Sequence, residues 1–175
     1  GKSTSPNLTS TQRRTDRGFH TNTMRITIVA VGRLRASPEK MLVDHFAKRI
    51  TWPLDIREVE EKKNLTGDTL KRREGELLVA HCPAGSQIIA LDERGKEISS
   101  RAFAKRVSDW QDDGVSDLCV VIGGANGLDE TVRQRVNMTI SFGRLTWPHM
   151  LVRGMLVEQL YRAQQIIAGH PYHRD

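Results

Sequence analysis

Two stretches of this chain gather residues able to do chemistry. The first is Gly123-Gly124-Ala125-Asn126-Gly127, directly after the apolar run 118–122. Paired glycines let a ligand approach the backbone closely, and N–H groups ahead of a helix can hold its polar groups. The second is C-terminal: Leu145-Thr146-Trp147-Pro148-His149-Met150-Leu151-Val152-Arg153, then Glu158-Gln159-Leu160-Tyr161-Arg162-Ala163, then Gly169-His170-Pro171-Tyr172-His173-Arg174-Asp175. Aromatic, His and Arg side chains crowd a chain end, where order is usually lost. Taken singly, each has an ordinary reading: a glycine turn, core aromatics, arginines on a solvated helix face, a chance HxxH.

Several chemistries lack their residues. The glycine loop is neither GxGxxG nor GxxxxGK[ST], and no acidic residue stands at ribose-binding spacing, so a Rossmann dehydrogenase or P-loop enzyme gets little support. No Ser or Cys sits in an elbow-like GxSxG context. His149, His170 and His173 could contribute to a zinc site, but a fourth ligand at motif spacing is missing, and no metal is expected.

The elements that must position these stretches alternate. Residues 25–31 read as a first strand closing on Gly32; Ser37-Pro38 opens a helix with Leu42, Phe46 and Ile50 on one face. A second strand at 54–59 and a helix around 68–81 follow, then a strand at 87–92 and a Ser99- or Ser100-capped helix bearing Phe103, Val107 and Trp110. The run 118–122 is apolar throughout, as central strands of parallel sheets are, and is expected at the sheet centre. A short helix near 129–136, a strand at 138–142 and a long helix at 150–168, closed by Gly169, complete the chain. This order predicts one α/β domain, a mostly parallel sheet with helices on both faces. Ligands of such sheets bind beyond the strands' carboxyl ends, which singles out the loops after Leu91, at 123–128 and at 143–148.

With 175 residues, 38% hydrophobic and 27% charged, the chain suits one ordinary globular core, and no run approaches a membrane span. The net charge of +6 favours a polyanionic partner. Half of it comes from residues 1–23, where Lys2, Arg13, Arg14 and Arg17 face only Asp16. That leader lacks apolar periodicity and is expected to lie outside the fold, leaving 24–175 as a single domain. Cys82 and Cys119 lie in apolar segments and read as reduced, buried thiols of a cytoplasmic protein.

From residue 24 onward the chain resembles a known family, the small SPOUT methyltransferases called ribosomal RNA large subunit methyltransferase H. The resemblance rests on six patterns in order: Ile28-Val29-Ala30-Val31-Gly32; Ala90-Leu91-Asp92 with Gly95-Lys96; Ile122-Gly123-Gly124 with Gly127-Leu128; Leu145–His149 with Leu151-Val152-Arg153; Glu158–Ala163; and His170-Pro171-Tyr172-His173. It implies a C-terminal trefoil knot, S-adenosylmethionine as cofactor, a homodimer, and methylation of N3 of a pseudouridine in the helix 69 loop of 23S ribosomal RNA on assembled ribosomes. The cofactor contacts it implies are Leu91, Gly124, Gly143, Arg144, Leu145, Thr146, Trp147 and Pro148. His149, Arg153, Tyr172 and His173 are then expected to face the acceptor, an Arg stabilising developing charge, a His or Tyr moving the proton, Tyr172 stacking on the base. One departure is Asn126, where many family members carry an acid; Asn can replace hydrogen bonds but not charge, and the base stays unassigned. Two other classes remain: a non-catalytic ribosome-associated RNA-binding protein, and a SPOUT methyltransferase acting on tRNA.

Overall fold

The computed structural model describes residues 23–174, so the leader, apart from Thr23, lies outside the described residues. Five strands form a single sheet in the order β2-β1-β4-β3-β5, and every neighbouring pair is parallel. They are β1 (Arg25–Val31), β2 (Leu54–Val59), β3 (Gln87–Glu97), β4 (Asp117–Ile122) and β5 (Met138–Ser141). The apolar β4 is the middle strand, with Val120 paired to Ile28 on one side and Ile89 on the other. A strand there meets helices on both faces, which is why it carries no alternating polar set.

The helices are α1 (Pro38–Ala47), α2 (Gly67–Ala80), α3 (Ser100–Asp112), α4 (Glu130–Arg135) and α5 (His149–Ile167). Ser37 caps α1 by accepting the Lys40 N–H at 3.2 Å, and Ser99 caps α3 by accepting that of Ala102 at 3.0 Å. These bonds satisfy N–H groups that a helix's first turn leaves without partners. One face of the sheet packs Ile26, Ile28, Ile89 and Val120 against Val43 of α1, Phe103 and Val107 of α3, and Leu156 and Leu160 of α5. The other packs Val29, Ala90 and Val121 against Leu78 of α2 and Val132 of α4. Each such side chain larger than alanine contributes about 1.5–3 kcal/mol on burial.

Two details differ from the sequence expectation. β3 does not stop at residue 92 but runs on to Glu97, with a register shift between Leu91 and Lys96 against β5. A Cβ at Gly95 would stand 2.6 Å from the Ile140 backbone, so the extension can cross β5 only with glycine there. Cys119 is buried as expected, but Cys82 is half-buried, and the two thiols share a 3.2 Å hydrogen bond. No helix among the described residues is long and apolar enough to cross a membrane.

Candidate functional site

The stretch of β3 from Leu91 to Arg94 and the loops after β4 and β5 surround a cavity of about 390 Å³, within the range of small-molecule sites. Its glycine wall follows β4; Gly127 N–H donates to the Gly124 carbonyl at 3.0 Å, tightening the loop ahead of α4. Asp129 then caps α4, accepting from the backbone and hydroxyl of Thr131. On the opposite side the loop 143–148 is held at three points. Ser141 accepts the Gly143 N–H and donates its hydroxyl to the Gly143 carbonyl, Thr146 donates to Glu93 at 3.2 Å, and the Trp147 indole donates to the Phe142 carbonyl at 3.4 Å. Leu145 is largely and Trp147 partly exposed, an apolar surface available to an incoming ring.

Of the eight residues expected around a cofactor, Leu91, Gly124, Gly143, Leu145, Thr146 and Trp147 line the cavity. Arg144 and Pro148 belong to the same loop but are exposed and do not line it. Lys71, Asp92, Glu93, Arg94, Asn126 and Phe142 line it as well, and the sequence singled out none of them as a contact. The signal for Asp92 lay in the strand-end pattern Ala90-Leu91-Asp92; Lys71 carries none, because only tertiary packing brings α2 to this wall. Arg94 grips Asp92 through two bonds of 3.0 Å and reaches the Leu128 carbonyl at 3.1 Å. That clamp ties the second half of β3 to the glycine loop. Despite partial burial, Asp92 is held below the usual carboxylate range by this guanidinium.

The four residues expected to face an acceptor do not gather in one place. His149 lines the cavity at the start of α5, and its ring is pushed down from its ordinary pKa by burial and then by the charge of Arg153. Arg153 corrects the expectation: it is 1% exposed and turned inward, with Nη1 on Glu58 at 2.7 Å and Nη2 on the Gly32 and Val31 carbonyls at 3.1 and 3.3 Å. Only a guanidinium, with its several donors in fixed directions, can tie β1, β2 and α5 together in this way. Tyr172 and His173 fold back onto α5. The Tyr172 hydroxyl donates to Glu158 at 3.1 Å, Arg162 lies 4.9 Å from its ring centre, and His173 Nδ1 is 3.1 Å from Arg162. Helix rise puts Glu158 about 13 Å and Arg162 about 20 Å along α5 from His149. Burial, followed by the bond to Glu158, pushes the Tyr172 phenol up, so it stays neutral.

One further group lies behind the glycine loop without lining the cavity. Glu74 of α2 is 7% exposed, and its Oε2 lies 2.6 Å from where a Cβ on Gly124 would stand. Glycine at 124 therefore serves packing behind the loop as well as approach from the front. No group of three or more metal-ligating side chains occurs among the described residues.

A family profile described as "Predicted SPOUT methyltransferase" matches residues 24–173. A protein of Rhodospirillum centenum named ribosomal RNA large subunit methyltransferase H is 53% identical over 151 residues, 86% of this chain and 99% of that one. Its namesake in Paramagnetospirillum magneticum is 51% identical over the same shares. Among solved structures, a putative methylase family protein from Neisseria gonorrhoeae superposes with a TM-score of 0.53 at 10% identity, covering 98% of this chain and 92% of that one. A probable methylase family protein from Haemophilus influenzae gives 0.52 at 11%, over 87% and 72%. At such identities these structures share the fold alone.

Proposed function

The chain belongs to the SPOUT methyltransferase family, among relatives named ribosomal RNA large subunit methyltransferase H, and on that premise we propose that it methylates 23S ribosomal RNA with S-adenosylmethionine as donor. The acceptor in this reading is N3 of a pseudouridine in the helix 69 loop, met on the assembled ribosome in the cytoplasm. The knotted C-terminal path implied by the family comes with it.

The observation that carries the reading is the cavity beyond the strands' carboxyl ends. It presents backbone from Gly124 and Gly143, apolar surface from Leu91, Leu145 and Trp147, and the Asp92 carboxylate midway along β3. That set of groups fits an adenosine with an amino-acid tail, and these residues would hold it. When bound, the cofactor supplies a methyl carbon made electrophilic by its sulfonium sulfur. The chain's part is to fix the acceptor in line and take the N3 proton as the N–C bond forms. His149 is the group we assign to that proton, because it lines the cavity and its lowered pKa keeps it neutral at physiological pH.

Tyr172 and His173 serve the acceptor from the other subunit of a homodimer. Within one subunit Tyr172 stands on Glu158 and Arg162, more than two turns of helix from His149. A neutral phenol ring backed by an arginine is suited to stacking on a base, and such stacking contributes about 1–3 kcal/mol. The test is mass spectrometry of 23S ribosomal RNA from cells lacking this protein and cells regaining it. One methyl group on the helix 69 pseudouridine should vanish and return; unchanged ribosomal RNA with altered tRNA would move the substrate elsewhere.

A further inference from the structure

We infer that Glu74 makes the pocket selective for a cationic ligand, acting through the gap that the absent side chain of Gly124 leaves in the cavity wall. The inference rests on the cofactor reading above and deepens it. Its first support is position. Gly124 lines the cavity, and the Glu74 carboxylate stands directly behind it, with Val31 Cγ1 at 3.0 Å from the same virtual Cβ.

The second support is the carboxyl's isolation. Glu74 is 93% buried, yet among the described residues it forms no ion pair or hydrogen bond. The charged groups on the elements around it all have other partners or other directions. Lys71 on α2 lines the cavity, Arg57 and Glu58 of β2 bind Asp55 and Arg153, Arg94 of β3 binds Asp92, and Arg133 of α4 binds Glu130. Asp129 is occupied by Thr131. The Glu74 oxygens are not among the fully buried unpartnered atoms, so solvent touches them, and no cation among the described residues neutralises the carboxyl behind Gly124. Burial accordingly pushes Glu74 above the ordinary carboxylate range.

S-adenosylmethionine differs from its spent form, S-adenosylhomocysteine, by one methyl and one positive charge. A fixed negative charge behind the loop stabilises the first and does little for the second, so the pocket takes up fresh cofactor and lets the product go. Glu74 does not touch the reacting atoms in this account; it tunes the field of the wall in front of it.

Isothermal titration of both ligands into wild-type protein and into Glu74→Gln and Glu74→Asp separates this from a purely structural role. Wild-type protein should prefer S-adenosylmethionine. Glu74→Gln should lower that preference by about tenfold, the scale of one charge interaction near a protein surface, with S-adenosylhomocysteine affinity held. Glu74→Asp, which keeps the charge, should retain most of the preference, and it stands in if the Gln variant does not fold. Equal weakening of both ligands, or an unchanged ratio in Glu74→Gln, would overturn the inference while leaving the cofactor reading in place. Failure of wild-type protein to bind either ligand would overturn both.

Discussion

The hydroxyl of Tyr172 donates to Glu158 at 3.1 Å, and this bond fixes the aromatic end of the chain to the middle of α5, away from the His149 that begins the same helix. The tail is thereby packed on α5 but set apart from the cavity. Deleting residues 172–175 should leave S-adenosylmethionine affinity within about twofold, since no described tail residue lines the cavity, while methyl transfer to ribosomes falls by at least a hundredfold, the loss of one stacking contact plus positioning. Calorimetry and a ribosome methylation assay check the two halves. Full activity in the deletion would remove the tail from the site.

Gly124 offers a double-mutant test of the wall behind the loop. Gly124→Ala forces a methyl against Glu74 Oε2 and Val31, displacing the loop, and should weaken S-adenosylmethionine binding by roughly tenfold, about 1.4 kcal/mol. In a Glu74→Ala background the added methyl finds space, so the same substitution should cost measurably less. Residues in contact couple by about 0.5–3 kcal/mol, and additive losses would show that the two do not meet.

Arg153 illustrates where the sequence was legible and where it was not. The alternation of strand and helix, the central β4, the Ser37 cap and the cavity loops at 123–128 and 143–148 were all readable, because periodicity, caps and glycine punctuation are local signals, whereas the stretch after Leu91, expected as a loop, continues as strand. The partners of Arg153 lie on Glu58, Val31 and Gly32, more than 90 residues away, and no local pattern announces that an arginine near a ligand loop will point inward. Glu74 was missed for the same reason: on α2 it stands among Arg72, Arg73 and Glu76 and reads as one more surface charge.

Its bonds predict what Arg153 does. Arg153→Met removes the donors to two strand-end carbonyls and the partner of the solvent-exposed Glu58, and should lower unfolding free energy by about 1–3 kcal/mol in urea titrations. Cofactor affinity of the fraction that remains folded should change little. A variant of unaltered stability with lost turnover would return Arg153 to the acceptor side.

The pH dependence of transfer follows from His149. Its folded pKa lies below the ordinary 6.5, through burial first and Arg153 second, so the neutral ring able to accept a proton persists below that pH. The acid limb of the rate profile should therefore have its midpoint under 6.5 and be absent from the residual activity of His149→Gln. The same shift makes the unfolded chain bind more protons than the folded one in that window, so stability should decline as pH falls through 6.5. An acid limb above 6.5, or one that survives the substitution, would assign the proton to another group.

Mixing two inactive proteins tests the shared site most directly. Subunits carrying His149→Ala have an intact tail, and subunits lacking residues 172–175 have an intact cavity; each alone should fail to methylate ribosomes with S-adenosylmethionine. After mixing and re-association, half of the dimers are mixed, and each mixed dimer holds one complete site, made of one subunit's His149 and the other's Tyr172. Transfer to 23S ribosomal RNA should return to about a quarter of the wild-type rate at equal total protein. No recovery in a mixture proven by mass to contain mixed dimers would contradict a site built from two subunits.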